Sequence, residues 1–431
     1  MGDGRSREVE LELCLPTGEM LGTTASFTAA EPWTQFVHPV VAAAREQLGL
    51  DVTVLRVRDV ETLPIWASAS ASASEPASTS TSAPASASAP VRVRYLAEVA
   101  ARPDPSLSLL PVDAEAAAAT RPDPLRMPWA TPGGPATTLS WADSRLAELC
   151  VSRVAPAVQV RSWNLSSLWL LTTDAGTVWL KQVPPFFAHE GAVIERMSRH
   201  AVPRVLARRD DAVLLAEIPG EDLYEASRAQ LATMIDLLVA MQRDCIDDVD
   251  DLLALGLPDW RLPALAELGS HALGVWADRL PHELRTTVES LIAGFDDRAR
   301  RLDACGLPDT LVHGDFHSGN VRGIGLDLTV LDWGDSGVGH PLLDVAAFTQ
   351  RLPSADAAFA RAHWMRRWAD TGADAAEALR LLDPVAALRQ AIIYQGFLER
   401  IEADERVYHR DDPVPWFTQA ARLAGDERAA G

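Results

Sequence analysis

His313-Gly314-Asp315-Phe316-His317-Ser318-Gly319-Asn320 is followed, after the short apolar run Leu328-Thr329-Val330-Leu331, by Asp332-Trp333-Gly334-Asp335. Phosphoryl transfer explains this spacing. A nucleoside triphosphate brings several negative charges that a metal must hold, and the attacking hydroxyl needs one carboxylate to align it and accept its proton. Asp315 and Asn320 share one tight loop, and Asp332 ends the neighbouring strand, so a base and metal ligands can converge. Asn and Asp oxygens suit a hard cation such as Mg²⁺, which keeps several waters and takes one or two protein ligands. A His, Asp and Asn loop can also merely satisfy its own backbone. Two acidic segments in this order, with a strand between them, point to a site instead.

These residues resemble the aminoglycoside phosphotransferase and choline kinase-like superfamily, whose H-G-D-x-x-x-x-N loop and later D-x-x-D segment they match. The resemblance covers about residues 150–425. It implies an α+β, protein-kinase-like bilobal fold, with a β-rich small lobe and a mainly helical large lobe. It further implies ATP as donor, Asp315 as catalytic base, and Asn320 and Asp332 as Mg²⁺ ligands. The segment Gly339-His340-Pro341-Leu342-Leu343-Asp344-Val345-Ala346 is similar to the same family, and by that likeness Asp344 supports the catalytic loop from the start of a helix. His313 is expected to brace the loop rather than react.

Upstream, Val178-Trp179-Leu180-Lys181 ends a β-type run on a lysine, which by the resemblance touches the nucleotide phosphates. Glu190 resembles the helix glutamate that pairs with such a lysine, with Glu195 as the second choice. Ala216-Glu217-Ile218-Pro219-Gly220 is similar to the segment that joins the lobes, where backbone groups at Glu217 and Ile218 would bind adenine. One stretch departs from the family. Arg161-Ser162-Trp163-Asn164-Leu165-Ser166-Ser167 lacks the glycine of a phosphate-covering loop, although Ser and Asn can donate hydrogen bonds themselves. This leaves the choice of ATP over GTP open.

Working outward, residues 138–218 read as the small lobe and 219–425 as the large one. Leu168–Leu171 and Thr177–Lys181 flank an Asp174-Ala175-Gly176 turn, and Val205–Ala207 and Ala212–Ile218 flank Asp210-Asp211. Residues 188–200 have helical character. After Pro219-Gly220, Leu231, Ile235, Leu238 and Val239 fall on one helical face. Residues 1–100 read as a small α/β domain, with strands at Val9–Leu15, Val52–Val57 and Val91–Val99 and a helix near Trp33–Leu48 ended by Gly49. Ala43–Gly49 lacks the paired glutamates of a Nudix-type metal box. Residues 67–90, ASASASASEPASTSTSAPASASAP, have almost nothing to bury and read as a disordered insert. The Pro- and Ala-rich 101–137 reads as a linker.

The whole chain has 431 residues, 48% hydrophobic and 23% charged, a balance that suits globular domains. Its 39 basic and 60 acidic residues give a formal charge of −21, a field that repels nucleic acid and anionic membranes and attracts cations. Cys14, Cys150, Cys245 and Cys305 show no metal-type spacing and read as reduced thiols. The first residues carry no apolar targeting core, and no apolar run approaches a membrane span, so the expected location is the cytoplasm. The expected partners are a nucleoside triphosphate and a small hydroxylated acceptor, such as an aminoglycoside-like antibiotic or a metabolite. Asp247-Asp248, Asp250-Asp251 and Glu399, Glu402, Asp404 are acidic clusters that could bind a cationic acceptor, and each can equally be a solvated helix end. The alternative reading is a catalytically silent nucleotide-binding module with a regulatory or recognition role. A protein kinase is disfavoured because no activation segment separates Asp332 from Asp344.

Overall fold

The structure, a computed structural model, describes residues 6–30, 33–62 and 91–430. The chain divides into two compact units, Met1–Gln182 with Ile401–Tyr408, and Val183–Arg400 with His409–Gly431. Both are mixtures of sheet and helix, so the chain is α+β.

In the first unit, β1 (Ser6–Cys14) pairs antiparallel with β2 (Met20–Thr23) and β3 (Phe27–Ala30), and parallel with β5 (Val91–Val99). The period-2 pattern of β1 sends Val9, Leu11 and Leu13 into the core, against Val40 and Ala44 of α1 (His38–Leu48). Each such fully buried Val or Leu contributes about 1.5–3 kcal/mol. Helix α1 begins later than the expected Trp33, because Pro39 sits in its first turn, where a missing N–H costs nothing. It ends as expected on Gly49, which is left-handed at φ 65°. The opposite face of β1 is acidic, and Glu8 and Glu10 pair with Arg92 and Arg94 at the same register positions of β5 (3.2 Å each). Strand β4 (Val52–Thr62) runs antiparallel to β5, with Thr62 opposite Val91. The tract 67–90, expected to be a disordered insert, lies outside the described residues.

The stretch 101–137, expected as a linker, carries α2 (Ala114–Ala118) and a short turn that buries Met127 and Trp129, before α3 (Gly134–Glu148) begins. The Trp129 indole donates to Trp163 O at 3.0 Å, so this segment packs where composition suggested solvent. Next come β6 (Val158–Trp163), β7 (Ser166–Thr173) and β8 (Gly176–Gln182), an antiparallel meander. Strand β6 is fastened to β4: the Gln159 amide accepts from Val54 N at 2.9 Å and donates to Val54 O at 2.7 Å.

Residues 401–408 complete this unit through buried charge. Glu402 meets Arg56 Nε at 3.1 Å and Arg126 Nη2 at 2.9 Å, and Asp404 pairs with Arg58, which also binds Glu12 at 3.0 Å. Removing one partner of such a buried set strands the others, a loss of about 3–5 kcal/mol.

The second unit opens with α4 (Glu190–Arg196) and the hairpin β9 (Val205–Arg209) and β10 (Ala212–Ala216). Strand β11 (Glu221–Asp222) follows Gly220, where a Cβ would lie 2.0 Å from Gly323 O. Helix α5 (Arg228–Asp244) starts with a reciprocal Ser227/Gln230 capping box and buries Leu231, Ile235, Leu238 and Val239, the face read from sequence. Helices α6 (Val249–Ala254), α7 (Leu262–Trp276), α8 (His282–Ala293) and α9 (Phe295–Cys305) lead to β12 (Thr310–Val312), the hairpin β13 (Val321–Ile324) and β14 (Asp327–Val330), and β15 (Gly337–Gly339). Helices α10 (Asp344–Gln350), α11 (Ser354–Ala369), α12 (Ala375–Arg400) and α13 (Pro413–Ala430) follow. Helix α12 is buried on nearly every side, as its apolar run Val385–Ile393 requires. Among the described residues no helix is long and apolar enough to cross a membrane.

Candidate active site

Strand β12 delivers His313 to the start of the loop, and each residue there is held by a specific bond. The His313 ring is buried between Phe316 and Trp333, and its Nε2–H donates to Leu331 O at 2.8 Å. Burial holds its imidazole below the ordinary value, which keeps it neutral. Gly314 is left-handed at φ 92°, and a Cβ there would lie 2.0 Å from Asp335 O and 2.7 Å from Arg389 Nη2. Only glycine fits at this position.

Asp344, the first residue of α10, accepts Gly314 N–H on Oδ1 at 2.8 Å and His313 N–H on Oδ2 at 2.9 Å. Gln242 Nε2 adds a third bond to Oδ2 at 3.2 Å. Burial pushes this carboxyl up, while His313, the two loop amides and Arg389 oppose the shift.

Asp315 emerges from this frame with its side chain 42% exposed, beside Phe316, which is locked against Phe348 and Trp364. Asn320 Nδ2 donates to Asp315 O at 2.9 Å and approaches Asp315 Oδ2 at 3.3 Å, and among the described residues no hydrogen bond runs to the Asn320 side-chain oxygen. Leu331 N–H donates to Asn320 O at 2.8 Å, in register with the β13–β14 hairpin, so Asn320 lies alongside the chain just before Asp332. Asp332 is held in the left-handed region at φ 61°, a strain of about 1–3 kcal/mol that tightly packed surroundings must impose. Those surroundings include Glu190, which is 1% exposed and accepts Trp333 N–H at 3.1 Å on Oε1. His317 accepts Gly319 N–H on Nδ1 at 3.0 Å, and its Nε2 faces Asp315 Oδ2 at 3.5 Å and Arg351 at 3.3 Å.

The second unit therefore brings together Asp315, Asn320, Asp332, His313, Asp344 and Glu190. Lys181 belongs to the first unit, on β8 opposite Leu168, and is half-buried. Glu217 is exposed, and the Ile218 carbonyl, expected to face adenine, accepts Arg322 Nε at 2.9 Å.

The glycine-free stretch 161–167 is the β6–β7 hairpin, and its polar groups are turned inward. Ser162 donates to Leu55 O at 3.0 Å, and Ser166 and Ser167 accept the Trp163 and Trp169 indoles at 3.0 Å each. The buried Asn164 amide has no partner among the described residues. The hydroxyls that sequence offered as phosphate donors are thus buried within the first unit.

The acidic clusters also separate. Glu402 and Asp404 are bound by arginines of the first unit, Asp248 pairs with Arg196, and Asp247, Asp250 and Asp251 are solvent-exposed.

Sequence reading missed Arg389. Its guanidinium is fully buried, donates to Gly314 O at 3.3 Å and stacks 5.0 Å from the Trp260 ring, while Asp344, Asp335 and Asp315 attract it. The available signal was a lone cation inside the apolar run of α12. Tyr394, further along the same helix, has its phenol pushed up by burial and by the charges of Asp412, Asp315 and Asp335.

A neutral braced histidine, an open carboxylate and the side-chain oxygens of Asn320 and Asp332 converge here, and the match to a family of small-molecule kinases gives the protein its class. The chain belongs to the phosphotransferase enzyme family (APH), which it matches over residues 157–388, more than half its length. No curated protein matches it in sequence. Among solved structures it is similar to the macrolide 2'-phosphotransferase MphH from Brachybacterium faecium, at 16% identity and TM-score 0.47 over 66% of this chain and 97% of that one. It is similar to the choline kinase LicA from Streptococcus pneumoniae, at 13% identity and TM-score 0.47 over 67% and 99%. A third similar structure is the streptomycin-ATP-APH(2")-IIa ternary complex, at 16% identity and TM-score 0.47 over 67% and 98%.

Proposed function

We propose that the protein transfers the γ-phosphoryl group of ATP to a hydroxyl of a small molecule, with Asp315 as the base. The acceptor O–H gives its proton to the Asp315 carboxylate, the new O–P bond forms, and the bond from the γ-phosphorus to the β,γ-bridging oxygen breaks, releasing ADP. The observation that carries this reading is the fastening of the loop: Asp344 grips His313 and Gly314 while the Asp315 carboxylate stays open. Preorganisation of this kind costs nothing at the moment of reaction.

Asn320 and Asp332 fit Mg²⁺ as hard oxygen ligands, since the bond from Asn320 Nδ2 to Asp315 O leaves the amide oxygen unused. When bound, the ion would neutralise phosphate charge. The backbone near Glu217 would add nucleotide contacts, and Glu190 steadies the Asp332-Trp333 turn.

A second reading, a nucleotide-binding module without turnover, is favoured by the inward-turned hydroxyls of Ser162, Ser166 and Ser167. One experiment separates the two. The purified chain and its Asp315→Asn variant are incubated with ATP, magnesium and pooled hydroxylated metabolites and aminoglycosides, and products are read by mass spectrometry for a phosphate gain. The enzyme reading expects phosphorylated product from the native chain, reduced about a hundredfold or more in Asp315→Asn, with nucleotide binding retained. Nucleotide binding without product in either protein would establish the second reading.

A further inference from the structure

Within the second unit, beside the Asp315 loop, lies a cavity of about 450 Å³, the size of small-molecule sites. Its connection to the reaction is Asp335, which lines it and whose carbonyl is packed so closely on Gly314 that no side chain fits there. Trp260, another wall, carries the Arg389 guanidinium that holds Gly314 O.

The walls are chiefly apolar. Phe186 stacks on Phe397 at 5.7 Å and 29°, and Phe187 meets the same ring edge-on at 5.7 Å and 89°. Phe187 lies across Gly334, where a Cβ would come within 2.9 Å of its ring, so the backbone itself forms part of the surface. Leu268 and Ile392 extend the apolar lining.

Apart from Asp335, the polar groups gather at one edge. The Trp276 indole donates to Gln395 Oε1 at 2.6 Å, and Gln395 Nε2 donates to Glu399 Oε1 at 2.8 Å. His271 Nε2 reaches the same Glu399 oxygen at 2.6 Å. The Gln395 and His271 bonds both fall on Glu399 Oε1, which fixes the carboxylate and leaves its Oε2 without a hydrogen bond among the described residues. Arg400 neighbours this edge, its guanidinium 4.5 Å from the Phe186 ring and its Nε bonded to Gly396 O at 2.8 Å. The cavity thus offers aromatic area, one aimed carboxylate at the edge and a cation beside it. Among the described residues only Asp335 and Glu399 supply carboxylates, one at either end, since Glu402 and Asp404 are bound in the first unit.

We propose that this cavity takes the phosphate acceptor, and that the acceptor is a monocationic hydroxyl compound with an apolar, ring-bearing body. The inference rests on the phosphotransferase reading. The body lies against Phe186, Trp260 and Phe397, the ammonium meets Glu399 Oε2, and the hydroxyl points toward Asp335 and the Asp315 loop. Polycationic aminosugars are excluded by charge.

Binding is tested by calorimetry on the full chain without nucleotide, so that it is scored apart from transfer. Three probes are used: propranolol, a monocationic aryl amino alcohol; the matching neutral diol, 3-(1-naphthyloxy)propane-1,2-diol; and streptomycin. Propranolol is expected to bind, and the diol to bind about three- to fivefold more weakly, the size of one partly exposed ion pair. Glu399→Gln should remove that difference by weakening propranolol alone. Leu268→Trp, a substitution at an exposed helix position, should fill the cavity and weaken both by about tenfold or more. Circular dichroism confirms that both variants are folded. Failure of propranolol to bind, its displacement by streptomycin, or an unchanged affinity in Glu399→Gln would overturn the proposal. Phosphate transfer to each probe is then measured by mass spectrometry. Binding as described with no transfer to any acceptor sinks the phosphotransferase reading and leaves the binding inference standing. Transfer to streptomycin alone does the reverse.

Discussion

Asp344→Asn puts an amide nitrogen into a place where both oxygens accept N–H groups. Oδ1 takes Gly314 N–H, and Oδ2 takes His313 N–H and the Gln242 amide, so whichever way the new side chain turns, a donor faces a donor. Placing the nitrogen at Oδ1 sacrifices one bond, and placing it at Oδ2 sacrifices two, so the first orientation is preferred. A lost bond to a charged acceptor costs about 1.5–3 kcal/mol, and the surviving bonds weaken without the charge. Asparagine also spares the protein a buried charge, the same burial that pushes the Asp344 carboxyl up. The expected net loss is therefore about 1–3 kcal/mol of stability, read as a lower urea midpoint with unchanged slope. Turnover should fall more than stability alone predicts, by about a hundredfold, because the released segment carries Asp315 and a misplacement of about 1 Å suffices. The KM for nucleotide should change little by comparison. Steady-state kinetics on the folded variant decides the matter: turnover within about twofold of the native chain would refute the claim that Asp344 aims the loop.

Asp332→Asn removes a negative ligand while Asp315 stays in place, so both turnover and magnesium-dependent nucleotide affinity should fall, and excess magnesium should restore part of the activity. Equal nucleotide affinity with and without magnesium in the native chain would remove Asp332 from the metal site. Buried His340 and His189 are lowered to about 3 and about 4 from 6.5. Between those values the unfolded chain binds more protons than the folded one, so stability should fall as pH drops below about 6.5 and continue to fall toward about 4. His340→Asn keeps an acceptor for Leu342 N–H and should flatten this acid limb, measured by urea midpoints from about pH 7.5 to about pH 5.

The loop and its strand were legible from motif spacing, and the family resemblance placed Asp344 at a helix start; the left-handed turn at Gly314 and the place of Asn320 at the open end of a hairpin emerged only in the structure. The strands were legible from alternation, as in Val91–Val99, whose limits the structure reproduces. Long-range pairing was not legible. Glu402 and Asp404 read as one acidic cluster with Glu399, since nothing local announces arginines more than 270 residues away. Ser162, Ser166 and Ser167 looked like phosphate donors: the Ser162 bond to Leu55 spans 107 residues, while the indoles bonded to Ser166 and Ser167 lie within three residues and come into reach only through the conformation of the hairpin. The 101–137 stretch was read by average composition, and Trp129, a single residue in a Pro- and Ala-rich background, decides its packing.

The arginine cluster of β4 sets a schedule for the chain's synthesis. Arg58 and Asp404 are separated by 346 residues, so the front sheet leaves the ribosome long before its last counter-ion exists. At about 5–20 residues per second that interval is roughly 20–70 s. Throughout it, Arg56 and Arg126 lack Glu402 and Arg58 lacks Asp404, while the sheet keeps its apolar side, the Arg58–Glu12 pair and the Glu8–Arg92 and Glu10–Arg94 pairs. The first unit thereby closes only when residues 401–408 arrive, and a chain cut before residue 401 would lack the Glu402 and Asp404 partners of Arg56, Arg58 and Arg126.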